Sequence, residues 1–277
     1  MSAVTETAYI VFDTESAVDG NLVRKVRYPG QKLTPEKAIR KYEEELLESA
    51  LKPPKDGRPF VPVTFHVPVA IAVARVDGDH RLLDVSCLDA PRFDSRSMVE
   101  LFWKGVQTYT RAALVDFNGR GFDLPLLTLS AFRFGLSCPR YFDDRESYGF
   151  RNRFTSKHLD LQEWITEFGS HRMTGGLDAL AKMLGKPGKS GVKGVEVQGM
   201  FERGELQEIN DYCLHDVLDT YFVFLRTRVL MGRLSLEAEQ ERVAETRAWL
   251  EARSEQLPAV RSYLDVFGEW SPDPFTE

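Results

Sequence analysis

The feature that most constrains this chain is a set of acidic residues placed at the ends of its most regular segments. Ala8-Tyr9-Ile10-Val11-Phe12 is a short, β-prone apolar run that leads directly into Asp13-Thr14-Glu15. Side chains on a strand alternate between faces, so Asp13 and Glu15 point the same way at the strand's end. Two neighbouring carboxylates repel unless a cation neutralises them. Ala112-Ala113-Leu114-Val115-Asp116-Phe117 is a second strand-like run. Asn118-Gly119 turns the chain after it, and Asp123-Leu124-Pro125 reads as a helix start with Asp123 as its cap, worth about 1 kcal/mol. That places Asp123 at the mouth of a sheet, where α/β sites form.

A fourth acid lies late in the chain. Residues 205–218 contain no Gly or Pro and carry Leu206, Ile209, Cys213 and Val217 at helical spacing. Tyr212 and Asp216 are four apart and therefore share a helix face. Each fragment alone is unspecific, because Asp-x-Glu most often marks a solvated strand end. The information lies in the order: strand, then strand-turn-helix, then late helix. Clustered carboxylates prefer hard divalent cations, and Mg²⁺ keeps exchangeable waters.

In Phe12-Asp13-Thr14-Glu15, Asn118-Gly119-Arg120-Gly121-Phe122-Asp123 and Tyr212-Cys213-Leu214-His215-Asp216, the chain resembles the DEDD 3′–5′ exonucleases of the RNase H-like fold. The tyrosine points to the DEDDy branch. The histidine branch would place His at 211, which is Asp211, and His215 does not fit that role. With Leu177-Asp178-Ala179-Leu180-Ala181-Lys182-Met183-Leu184-Gly185, the chain looks like the predicted exonucleases related to the exonuclease domain of family-B polymerases. The resemblance spans about residues 7–230, with 16–62 as a variable insertion.

It implies an α/β mixed sheet flanked by helices and a metal-dependent 3′–5′ exonuclease. The expected substrates are 3′ ends of single-stranded DNA or RNA, DNA before RNA, cut to 5′-mononucleotides. Two divalent cations, Mg²⁺ or Mn²⁺, are implied. Asp13 would bridge both, Glu15 and Asp216 would complete one site, and Asp123 would support the other. Tyr212 would orient the nucleophile. Two ions ~4 Å apart stabilise the entering and leaving oxygens of an in-line displacement. The alternatives are a non-catalytic nucleic-acid-binding module on the same fold, and an RNA-processing or structure-specific nuclease. A polymerase or repair partner is left open.

Composition sets the remaining bounds. A chain of 277 residues buries one good-sized core, read as a domain over 1–232 and a helical extension over 233–277. No apolar run reaches the length of a membrane span, and no signal-peptide pattern opens the chain. The scattered Cys87, Cys138 and Cys213 fit reduced thiols and a cytoplasmic setting. A net charge of −6 argues against coating a long nucleic acid, although an enzyme gripping a few terminal nucleotides can be acidic overall.

Strands are expected at 7–15, 61–76, 81–88, 113–117 and 158–161. Helices are expected at 34–51, 95–110, 123–134, 177–184, 209–230 and 234–255. Pro62 and Pro68 mark irregular or edge segments. Asp160 is a fifth acid, read first as a strand-end hydrogen-bonding group and second as a metal or substrate contact. His158 reads as structural. Tyr148, Phe150 and Phe154 interleave with Arg145, Arg151, Arg153 and Lys157, a mixture suited to single strands and equally to an ordinary loop. Gly188-Lys189-Ser190 lacks the first Walker glycine, since position 183 is Met, so ATP binding is not expected. A basic loop touching phosphate is one reading of 185–194, and a solvated loop the other.

Overall fold

The computed structural model describes residues 6–52, 58–143, 149–189 and 194–273. Five strands form one sheet: β1 (Thr7–Val18), β2 (His66–Asp77), β3 (Leu82–Cys87), β4 (Ala113–Asp116) and β5 (His158–Asp160), in the order β3-β2-β1-β4-β5. The β1–β2 and β2–β3 pairs are antiparallel, whereas β1–β4 and β4–β5 are parallel. The helices are α1 (Gly20–Arg27), α2 (Pro35–Ser49), α3 (Ser95–Thr108), α4 (Asp123–Phe134), α5 (Leu161–Ile165), α6 (Gly176–Met183), α7 (Val197–Arg203), α8 (Leu206–Leu230), α9 (Leu236–Glu251) and α10 (Pro258–Leu264).

Alternation along β1 sorts its side chains into two cores. Ile10 and Phe12 pack with Met98, Val99, Phe102 and Trp103 of α3 and with Leu127 of α4. Val11 packs on the other face with Val217, Tyr221 and Phe224 of α8. Asp13 and Glu15 continue the Val11 series and therefore face α8. Thr14 continues the other series and faces α4. The fold thus sets the acids of the first motif opposite the helix that carries the third.

Most expected elements are present, within two or three residues at their ends. β1 runs three residues beyond the expected end, and its last four pair with the start of β2 across a register shift between Glu15 and Ser16. Pro68 lies in β2 but outside the stretch that pairs with β3, so that part of the strand has an open edge where a missing N–H costs nothing. Val63–Phe65 forms a turn of 3₁₀ helix before β2. Within the expected insertion, α1 and α2 bury a small core of their own around Val23, Tyr28, Ala38, Tyr42 and Phe65. Asp19 and Thr34 cap these helices.

The tail packs against the rest of the molecule. Ser235 caps α9, and Leu250, Val260 and Tyr263 join the α8 core. Tyr263 donates to Asp219 at 2.7 Å, and His215 donates to the Ala259 carbonyl at 2.7 Å. His215 is therefore committed to the tail and faces away from Asp216's partners. With its helical partners on several sides, α8 is buried nearly all round, which explains its weak amphipathic pattern.

Candidate active site

Asp13, Glu15 and Asp216 converge. One carboxylate oxygen from each lies within 4.8 Å of the other two, a spacing that suits a shared metal ion. Asp13 and Glu15 come from the last part of β1, and Asp216 from the second turn-pair of α8. The two elements are pinned together at this point: Cys213, three residues before Asp216, donates its thiol to the Asp13 carbonyl at 3.3 Å. Asp123 stands beside this trio but outside it. It enters from α4 on the far face of the sheet, and Thr14 donates to its Oδ1 at 2.5 Å.

That contact corrects the reading of Asp123 as a helix cap. Asp123 is the first residue of α4, Phe122 precedes it, and no side chain caps this end. The carboxylate is held by Thr14 and lines the cleft.

The four acids line one cleft of about 800 Å³. Its other walls include Phe60, His66 and Phe122, three rings whose centroids lie 5.6–6.0 Å apart. His66 is fixed by Ser16 and by the Val61 carbonyl. Lys189 and Arg58 bring positive charge to the rim. Lys189 Nζ lies 4.0 Å from Asp216 and 5.5 Å from the centre of the Tyr212 ring.

The electrostatics are those of a site built for a cation. Burial, followed by the charges of Asp123, Asp216 and Glu15, pushes the Asp13 carboxyl well up. Burial and then Asp216 push Glu15 up. Burial raises Asp123 to about 7, against the Thr14 hydrogen bond, and raises Asp216 to about 6, against Lys189. Tyr212 is raised by burial and then by Asp216, Glu15 and Asp13. Its hydroxyl is buried beside the Asp216 carboxylate, close enough for each to shift the other but short of good hydrogen-bonding geometry. An orphaned buried hydroxyl facing mutually repelling carboxylates fits a group that the protein leaves for metal, water or substrate.

Asp160 takes the structural role. Its Oδ1 accepts from the N–H groups of Asn118, Gln162 and Glu163 at 3.0–3.1 Å, and its Oδ2 from Arg120 at 3.1 Å. It thereby caps α5 and ties down the loop leading to Asp123. Asp116 and His158 form a buried pair at 2.6 Å beneath that loop, and Asp116 also accepts from Gly119 at 3.1 Å. Burial, opposed by His158, raises Asp116. The sequence showed Asp116 only as a polar residue in an apolar run; a buried partner 42 positions away leaves no local signal.

The basic segments divide. Phe150 is a core residue, while Phe154 is 80% exposed. Arg145 and Tyr148 lie outside the described residues, as do 190–193. In the Gly-Lys-rich loop, Lys186 is buried, 4.0 Å from the Phe267 ring, and donates to the Gly268 carbonyl; burial lowers it to about 8. Only its companion Lys189, of the described lysines in that loop, reaches the cleft.

Comparison with known proteins places this arrangement. The family model described as a predicted 3′–5′ exonuclease related to the exonuclease domain of PolB matches residues 58–267. That match begins after the first motif and continues through α9 and α10, past residue 230, where the resemblance read from the sequence ends. A solved family B DNA polymerase from the hyperthermophilic archaeon Pyrobaculum calidifontis superposes with a TM-score of 0.50 at 16% identity. The superposition covers 98% of this chain and 31% of the polymerase. The likeness shows the fold, a mixed α/β sheet of the RNase H-like kind. No curated protein matches. With three quarters of its length matched, the chain belongs to the family of predicted 3′–5′ exonucleases related to the exonuclease domain of PolB.

Proposed function

We propose that this protein removes 5′-mononucleotides from the 3′ end of single-stranded nucleic acid, DNA before RNA, with two divalent cations, Mg²⁺ or Mn²⁺. The observation that carries the reading is the convergence of Asp13, Glu15 and Asp216 within ligand distance of one another, with Asp123 alongside. Preference for DNA rests on the fold's likeness to a DNA polymerase. Preference for a single strand rests on the cleft, where the Phe60, His66 and Phe122 rings give unpaired bases faces to stack on.

Asp13, Glu15 and Asp216 would hold one ion, and Asp123 with Asp13 the other. Such ions supply Lewis acidity toward the phosphoryl oxygens and lower the pKa of bound water. The chain's own groups do the rest. The Tyr212 hydroxyl, raised far from ionisation and lacking a well-aligned acceptor, donates or accepts a hydrogen bond at the attacking water and orients it. Lys189, at the rim beside Asp216, offers a cation to a non-bridging phosphate oxygen. Phe60 and Phe122 hold the terminal bases.

A 5′-labelled single strand with a free 3′ end tests this. The expected product with Mn²⁺ or Mg²⁺ is a ladder shortening from the 3′ end. Asp13→Asn should abolish it with the circular dichroism spectrum unchanged. An active Asp13→Asn variant refutes the assignment, and internal cutting of a 3′-blocked strand identifies an endonuclease instead.

A further inference from the structure

Behind the loop that carries Asp123 lies a second cavity of about 330 Å³, in the size range of small-ligand sites. The loop separates the two spaces: Asn118, Gly121 and Phe122 line the acidic cleft, while Arg120 lines the cavity behind it. The floor is the edge strand β5, with His158, Leu159 and Asp160.

The walls combine aromatic faces with cations. Phe154 and Phe168 meet with ring centroids 5.7 Å apart and are 80% and 49% exposed. Two consecutive non-glycine residues, Glu167 and Phe168, adopt left-handed backbone with φ of 50° and 57° to present the second ring. That conformation is costly for residues with a Cβ, and such strain concentrates where a side chain is being held for use. Arg153 lies 5.4 Å over the Phe168 ring. Arg120 and Arg153 share a single carboxylate, Glu163, at 3.2 and 2.5 Å. Arg233 adds a third guanidinium. Asp160, the other acid present, is already saturated by backbone N–H groups. Three guanidiniums against two carboxylates leave the lining net positive in a chain of net charge −6.

Two buried polar atoms here lack partners. His158 is 2% exposed; its Nε2 is bound to Asp116, and its Nδ1 meets nothing. Arg120 has one terminal nitrogen in the same condition. Both nitrogens lie behind the cavity wall, out of solvent contact, so recognition rests on the rings and guanidinium groups that line it.

We propose that this cavity binds one nucleotide unit, an aromatic base carrying a phosphate. The base packs against Phe154 and Phe168, and the phosphate is held by Arg120, Arg153 and Arg233. The unit belongs to a single strand whose 3′ end occupies the acidic cleft, a source that rests on the nuclease reading. A free mononucleotide has the same chemistry and is distinguished by the test.

Trp164 lines the cavity and serves as its reporter. The full chain is titrated in EDTA with a dodecathymidylate, with dTMP, with thymidine and with inorganic phosphate. Tryptophan fluorescence is followed, and Trp164→Phe assigns the signal. The dodecamer should quench Trp164, dTMP more weakly, and thymidine or phosphate hardly at all. Phe154→Ala and Arg233→Gln, both at exposed positions, should each weaken the dodecamer about tenfold. Binding of dTMP as tight as the dodecamer identifies the free nucleotide as the ligand. Quenching that persists in Trp164→Phe, or unchanged affinity in both variants, overturns the proposal. No divalent ion is present and no hydrolysis is read. A chain that binds here and never cleaves would refute the nuclease reading alone, and one that cleaves without binding here would refute this one alone.

Discussion

Asp160 offers the sharpest separation of scaffold from chemistry. Its carboxylate touches no residue of the acidic trio, yet it accepts four backbone N–H bonds, two from the loop ahead of Asp123 and two from the start of α5. Asp160→Ala orphans all four donors at once. A hydrogen bond to a charged acceptor contributes about 1.5–3 kcal/mol net, but loop N–H groups on the partly exposed side recover water, so the expected loss is about 3–5 kcal/mol. Asp160→Asn is the informative companion. Its amide oxygen can keep the three Oδ1 bonds as neutral ones, while the Arg120 bond is lost because an NH₂ replaces Oδ2; that loss is about 1–2 kcal/mol. At roughly 2 °C per kcal/mol for a chain of this size, melting temperatures should fall by about 6–10 °C and about 2–4 °C respectively.

The same substitutions reach activity through position. A loop no longer tied to β5 lets Asp123 drift, and a displacement of about 1 Å in a reacting constellation can cost on the order of a hundredfold. Differential scanning fluorimetry paired with single-turnover cleavage of a short oligonucleotide reads both effects. If Ala and Asn variants both melt within a degree of the unmodified chain, the hydrogen-bond reasoning is wrong. If Asp160→Ala melts early but cleaves at full rate below its transition, the link from loop anchoring to Asp123 is wrong.

Tyr212→Phe removes only a hydroxyl; turnover should drop by about 10²-fold or more while thermal stability stays level or rises, because a buried unpartnered group has gone. Mn²⁺ at a hundred times its dissociation constant should stabilise the chain by about 2.7 kcal/mol, and calorimetry should find that gain missing in Asp13→Asn. Gly119→Ala should unfold the loop, since a Cβ there would sit 2.2 Å from the Asp116 carboxylate; proteolysis between β4 and α4 reads it, and a fully active, protease-resistant variant would contradict the geometry. Burial raises Asp219 to about 7, against its bond from Tyr263. An acid raised on folding releases its proton earlier in the unfolded chain, so its contribution to stability is intact below about pH 4 and is lost as pH climbs to 7. Asp219→Asn should therefore raise the melting temperature at pH 8 and change it little at pH 4.

What the sequence disclosed, and what it hid, follows from how far each interaction reaches along the chain. Asp13 and Glu15 were legible because a strand's period puts them on one face, and Tyr212 with Asp216 because a helix's period does the same. Thr14 was invisible for the complementary reason: it points to the opposite face, and its partner Asp123 is 109 residues away. Asp160 keeps the strand-end hydrogen-bonding role read first for it, while Asp123 loses its cap role, because a cap motif shows which side chain can reach backbone N–H groups but not whether a better partner arrives from another element. The tail illustrates a weak pattern with a strong outcome. Buried on several sides, α8 has almost no polar face, and α9 and α10 supply the missing cover through groups such as Tyr263, whose partner lies 44 residues upstream. α1 escaped detection because it spans only about two turns, with Gly20 and Val23 its buried residues.

The carboxylate cluster explains why so much unspectacular structure surrounds it. Four acids, each pushed upward by burial and Asp13 and Glu15 also by the others, would spread apart on a compliant backbone. Each is therefore anchored by a contact that does no chemistry: β1 by the Cys213 thiol on the Asp13 carbonyl, Asp123 by Thr14, the loop before it by Asp160 and Gly119, and α8 by Tyr263 and His215 on the tail. The repulsion among these acids is the energy that a divalent cation, bound as proposed, would relieve. Loosening the Cys213, Thr14 or tail contacts lets the acids relax without a cation, whereas Asp160 and Gly119 hold loop backbone whose release costs stability outright. Variants at Cys213, Thr14 or the tail should thus trade cation affinity for stability in the metal-free state, a direction opposite to the one expected if those residues merely filled space.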